Sequence, residues 1–255
     1  MRRVRVIPVL LVSDGGLVKT VKFKESTYVG DPINAVKIFN EKEIDEIVIL
    51  DIDATRENRG PDMLKLKEIA GEAFIPLAYG GGISTITHIE ELFYLGVEKV
   101  IFNYQAFRNP AILTESAKLV GSQSVVASID VKKNWLGKYK VMVKNGREDT
   151  GLDPVTYAKR VTEAGAGEIF LNVIDRDGTY AGFDLGLIDA VSHAVSVPLI
   201  ACGGASSVDD FLPAIEKGAS AVAAGSLFVF QRTHRAVLIS YPGQQELAEK
   251  LFKHL

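Results

Sequence analysis

Three groups of residues in this sequence could do chemistry. The first is a pair of glycine turns. Residues 75–107 read as an apolar strand, a triple-glycine turn, an amphipathic helix and a second apolar strand closing on Asn103; the plan returns over 197–229. Pro76 falls on Pro198, Gly81 and Gly82 on Gly203 and Gly204, and Gly96 on Gly218, each pair 122 positions apart. A glycine turn between a buried strand and a helix lets backbone N–H groups face an anion. One such turn would be only a tight βα connection, but two in matching frames suggest two similar halves, each able to hold a phosphate.

The second group is Asp51, Asp53, Asn103, Asp130, Asn172, Asp175 and Asp177, polar residues at or just beyond the ends of apolar runs. Asp130 ends SVVASID, where a carboxylate costs free energy unless it is paired or functional. Asp175 and Asp177, in IDRDGT, could equally cap a turn. The third group is Arg5, Glu46, Lys99 and Glu168, each opening an apolar run, with the two glutamates again 122 positions apart. Two acids and two bases brought together would neutralise one another, at the least as a salt-bridge plug. His88, His193, His234 and His254 fall in helical or terminal segments and read as surface residues. Cys202, the one cysteine, reads as packing. No metal-spaced cluster appears, and no cofactor is called for.

The elements that must position these groups follow from periodicity. Apolar runs at 5–11, 46–51, 76–80, 99–103, 124–130, 168–172, 198–202 and 221–224 alternate with amphipathic stretches such as DPINAVKIFNEKE, GPDMLKLKEIAGEA and DPVTYAKRVTEAGA. Continuous β-branched runs between helices indicate a parallel sheet buried on both faces. Eight of them in 255 residues predict a (β/α)₈ barrel of two similar half-barrels, with a doubly wound open sheet as the alternative. The barrel spans 1–255 as one domain, with a polar hairpin inserted near 132–147. Polar residues at the C-terminal strand ends then face the usual active-site mouth, and the Arg5 quartet converges on the floor. The apolar share of 47% is ample for a core, and no apolar run is long enough to span a membrane. A net charge of −3 gives no sign of nucleic acid. The opening MRRVRVIPVLLVSDGG mimics a signal peptide only faintly and reads as a strand and turn; the single Cys202, which rules out an internal disulfide, leads to the expectation of a cytoplasmic protein.

The ordered motifs RVIPVLLVSDGGLVK, EIVILDIDAT, PLAYGGGI, KVIFN, SVVASID, TGLDP, GAGEI, IDRDGT and PLIACGGA resemble the cyclase subunit of imidazole glycerol phosphate synthase over about residues 5–230. The resemblance implies a two-half (β/α)₈ barrel docked on a glutaminase at its N-terminal face. Ammonia would pass a charged gate at Arg5, Glu46, Lys99 and Glu168, then the barrel axis. It also implies phosphate or substrate contacts at Gly81, Gly82, Asn103, Asn172, Asp177, Gly203, Gly204, Gly225 and Ser226, a flexible-loop lysine at Lys19, and a catalytic acid–base aspartate at Asp130.

One position departs from that pattern. The family's first strand reads CLDV and carries the aspartate that partners Asp130; here the strand reads VLLV, and Leu11 stands there. Losing one member of such a pair commonly costs about 10²- to 10⁴-fold in rate. Asn172 also replaces a threonine, and Tyr104 and Gln105 replace smaller residues. With HRAVLISYPG at 234–243, this pattern looks most like the cyclase-like paralogue of bacterial surface-polysaccharide clusters. That group implies a glutaminase below, an N-acetyl sugar amidotransferase above, and ammonia passing between them. The other readings are a histidine-pathway cyclase that recruits Asp14 or Asp51, and another phosphosugar-binding barrel enzyme such as an isomerase related by the half-barrel repeat.

Overall fold

Strands rich in valine, isoleucine and alanine on both faces need apolar cover on both sides, and a closed barrel ringed by helices supplies it. The computed structural model describes residues 3–231 and 236–255. Its barrel strands are β1 (Arg5–Ser13), β2 (Ile47–Asp51), β3 (Leu77–Gly80), β4 (Lys99–Phe102), β5 (Val125–Lys133), β6 (Glu168–Val173), β7 (Leu199–Cys202) and β8 (Ala221–Ala224). Each pairs in parallel with the next, β5 pairs with β6, and β8 returns to β1, so the barrel has no open edge. The expected (β/α)₈ architecture is present.

The half-barrel repeat holds at the level of individual partners. Ile47 pairs with Leu77 as Ile169 pairs with Leu199, and Ala78 with Lys99 as Ile200 with Ala221. The connecting helices start where the sequence caps them. Asp31, Asp62, Thr85, Asp153 and Asp184 each accept a hydrogen bond from the backbone N–H three residues on. Pro32 and Pro154 occupy first-turn positions whose N–H groups would have no helical partner.

Alternation along each strand sorts side chains into two cores. Ile7, Val9, Val48, Ala78, Ile101, Val126, Phe170, Ile200, Cys202, Ala221 and Ala223 form the inner one, with Leu11 and Leu50 against its upper end. The intervening residues, such as Val6, Leu10, Ile49 and Tyr79, pack outward against the helices.

Two antiparallel ribbons rise from the C-terminal side of the barrel. In one, β5 runs on to Lys133 and pairs with Tyr139–Val143, which pairs with Glu148–Asp149. A second ribbon, Gly16–Thr20 against Ser26–Gly30, leaves the end of β1 and was not foreseen. Beyond it, Ala236–Val237 pairs with Phe230–Gln231, and the Tyr241 hydroxyl donates to Val6 O at 3.0 Å. His234 lies outside the described residues, as does the start of the tail motif.

Candidate functional site at the floor and mouth of the barrel

The strand parity that places Ile7, Val48, Ile101 and Phe170 inside also points Arg5, Glu46, Lys99 and Glu168 inward, one step lower. They form a closed ring. The Arg5 guanidinium donates to Glu46 and to Glu168, and Lys99 Nζ donates to Glu46 at 2.9 Å and Glu168 at 2.8 Å. Both carboxylates are buried, whereas the Arg5 and Lys99 side chains keep 29% and 20% of their exposure. Burial alone would lower the Arg5 pKa, but the bonds and attraction of Glu168 and then Glu46 outweigh it and raise it. Glu46 Oε1 is buried and has no hydrogen-bond partner.

Above the ring, the inner apolar residues separate floor from mouth, where a cavity of about 440 Å³ opens. Its base has two chemically different sides. In parallel register, Leu11 stands beside Leu50, and Asp130 stands beside Asn172. Leu50 and Asn172 are 122 positions apart, so the leucine pair of one half occupies the place of the Asp–Asn pair of the other. Both pairs line the cavity. Burial, reinforced by the charge of Asp177, pushes the Asp130 carboxyl up to about 7, with only a weak opposing bond from Ser128. Its oxygens receive long bonds, 3.3 Å from Asn103 Nδ2 and 3.5 Å from Ser128 Oγ. A carboxyl in that range can both give and take a proton at neutral pH.

No other cavity carboxylate among the described residues stands ready to replace a partner at position 11. Asp51 accepts from Arg59 at 2.7 and 3.0 Å and from the backbone of Asp53 and Ala54. That hydrogen bonding raises the Arg59 pKa against partial desolvation. Asp53 accepts from Ser13 Oγ at 2.7 Å and pairs with Arg56 at 2.8 Å. Asp177 holds Lys19 Nζ at 2.9 and 3.0 Å. Asp14 sits exposed in a left-handed turn, and Asp175 accepts from Lys133 N. Arg56 and Arg59 were missed in the sequence; the signal was two arginines closely following the DID triplet.

The two glycine turns differ in access. Gly81, Gly82 and Asn103 line the cavity, as do Tyr104 and Lys144, whose ammonium lies 4.6 Å from the Tyr104 ring centroid. In the second half Asn172, Asp177 and Gly225 of the expected contacts reach it; Gly203, Gly204 and Ser226 do not. Gly204 O accepts from Gly182 N, Tyr180 donates to Ser226 O, and the buried Lys19 side chain lies against Gly225. The loop after β6 therefore packs over Gly204 and Ser226, while Lys19 of the first-strand ribbon packs against Gly225.

Gly204 has φ +110, and a Cβ there would meet Gly182 O at 2.2 Å, backbone that cannot swing aside. Gly204→Ala is expected to destabilise the chain by more than about 2 kcal/mol in urea unfolding. Gly71→Ala, in a helix with open space around it, should stabilise it by about 0.5–1 kcal/mol. Equal effects would show that the turn tolerates a side chain.

Cys202 is buried in the inner core, where burial pushes its thiol up, consistent with packing. His193 and His254 are exposed, but His88 is half-buried and accepts from Ser84 N at 3.3 Å. No helix of the described residues is long and apolar enough to cross a membrane.

The family model described as "Histidine biosynthesis protein" matches residues 5–234. The chain is 54% identical over 248 residues to "Putative imidazole glycerol phosphate synthase subunit hisF2" of Pseudomonas aeruginosa, covering 97% of this chain and 99% of that protein. It is 48% identical over 253 residues to "Putative imidazole glycerol phosphate synthase subunit hisF3" of Vibrio vulnificus, covering 98% and 97%. Against "Imidazole glycerol phosphate synthase subunit HisF" of Alkaliphilus metalliredigens the identity is 45% over 225 residues, 88% and 89% of the two chains. The chain belongs to the HisF family of histidine biosynthesis proteins. Within this HisF-family barrel, then, the floor ring is complete while the base of the mouth has Asp130 and Asn172 on one side and Leu11 and Leu50 on the other.

Proposed function

We propose that the chain is the ammonia-channelling subunit of a glutamine amidotransferase pair. Its floor docks on a glutaminase, and its mouth delivers ammonia to an N-acetyl sugar amidotransferase in surface-glycan biosynthesis. The observation that carries this reading is Leu11. The position that would complete an acid–base pair with Asp130 is a leucine lining the cavity, and the neighbouring carboxylates are committed elsewhere. An apolar bore suits neutral NH₃, which avoids the desolvation cost of NH₄⁺. Arg5, Glu46, Lys99 and Glu168 act as the gate; opening it requires Lys99 to leave its two carboxylates. Exposed Phe74, Tyr94 and Leu119 fall on segments leading into β3, β4 and β5, at the floor end where the glutaminase would sit.

The second reading is the cyclase of histidine biosynthesis. It is favoured by Asp130 titrating near neutrality and by Gly81 and Gly82 opening on the cavity, where a phosphorylated ligand fits. Lys19, Asn172, Asp177 and Gly225 line the same cavity, whereas Gly203, Gly204 and Ser226 would need the loop after β6 to move.

The discriminating assay supplies ammonium salt and the phosphoribulosyl aminoimidazole carboxamide nucleotide to the purified chain. Turnover is expected to be at least about 10²-fold slower in the native protein than in Leu11→Asp, because the substitution restores the second acid–base group. Equal rates would overturn the conduit reading in favour of the cyclase. The conduit reading further requires stable co-purification with a glutaminase whose glutamine hydrolysis responds to the complex.

A further inference from the structure

The mouth contains a buried acceptor that none of the described residues satisfies. Asn172 Oδ1 has no hydrogen-bond partner among them, and the residue as a whole is only 7% exposed. It is the direct register neighbour of Asp130, whose oxygens receive nothing closer than 3.3 Å. Both residues share the inward face of their strands with Phe170 and Val126, at the upper end of the apolar bore. Across from them, Leu11 and Leu50 contribute no polar atom to this site. An unfilled acceptor next to a poorly bonded carboxyl, walled by hydrocarbon, calls for a small donor with several N–H groups and no anionic part. A fully ionised phosphate carries no donor and would leave Asn172 Oδ1 unsatisfied.

We infer that Asn172 and Asp130 form a holding site for ammonia, captured there as ammonium, where the bore meets the mouth. This deepens the conduit reading and rests on it. An arriving NH₃ takes the proton of the Asp130 carboxyl: the O–H bond breaks, an N–H bond forms on the nitrogen lone pair, and a carboxylate and an ammonium remain side by side. Asn172 Oδ1 accepts a second N–H. Return of the proton to Asp130 releases neutral NH₃ to the acceptor, so the site adds no net charge to the cavity. Asn103 steers the carboxyl through its Nδ2, and Lys19, held by Asp177, supplies no competing donor to Asp130 among the bonds found.

Thermal unfolding of the full chain in ammonium chloride, against sodium and potassium chloride at equal ionic strength, tests this. At about tenfold excess over Kd, ammonium should raise Tm by about 3 °C more than either salt. That increment should fall at least about fivefold in Asn172→Leu and in Asp130→Asn, while the milder Asn172→Thr guards against a folding defect. Equal stabilisation by potassium, no ammonium-specific rise, or a rise that survives both main substitutions would each overturn the site. Glutaminase-coupled ammonia transfer is measured alongside. Transfer without the ammonium increment defeats the holding site alone; an increment without transfer defeats the conduit alone.

Discussion

Glu168→Ala should lower the unfolding free energy by about 3 kcal/mol and uncouple glutaminase stimulation from ammonia transfer. Removing one member of a buried ion-pair network typically costs about 3–5 kcal/mol, because the opposite charges are left unpaired. Here Arg5 and Lys99 keep some contact with water, which argues for the lower end. Glu46 remains, but one of its oxygens already serves both cations. Urea unfolding would check the stability; nitrogen transfer from labelled glutamine would check the coupling. If Glu168→Ala unfolds like the native chain, the ring is a surface decoration, and its place in the gate falls with it. Lys99→Met separates the two roles, since it keeps the side-chain volume while leaving the acids with Arg5 alone.

The second large effect runs in the opposite direction. Asp130→Asn is expected to stabilise the fold, by an amount that grows with pH. In the folded chain burial holds this carboxyl at about 7 against an ordinary 3.8. Between those values the native state keeps a proton that the unfolded state has released, so stability falls as pH rises through the window. The loss is complete above about pH 7 and amounts to at most about 4 kcal/mol, from 1.36 kcal/mol per pKa unit. Asparagine carries no such penalty. The variant should therefore match the native protein near pH 4 and exceed it at pH 8. A gap that narrows with rising pH would mean that Asp130 is charged and well solvated in the folded state.

The eight strands, the 122-residue repeat and the floor quartet were legible because each rests on local pattern or on strand parity, which a one-residue slip would destroy. The ribbon at Gly16–Gly30 was not. Its segment LVKTVKFKESTYVG is short and lysine-rich, and its outer strand is largely exposed, so it lacks the apolar alternation that marks a strand. The state of the mouth was only half legible. Leu11 could be read as a loss, but Asp51 stood as a candidate replacement until Arg59 was placed against it. The packing over Gly204 and Ser226 depends on Gly182 and Tyr180, contacts too distant in sequence for any local signal.

The bond from Lys19 to Asp177 ties positions 158 residues apart. During synthesis the ribbon carrying Lys19 leaves the ribosome early, and its deep anchor does not exist until most of the chain has followed. The lid of this vessel is thus forged first and latched late. Until the later half arrives, the lysine that ends up buried must wait in water.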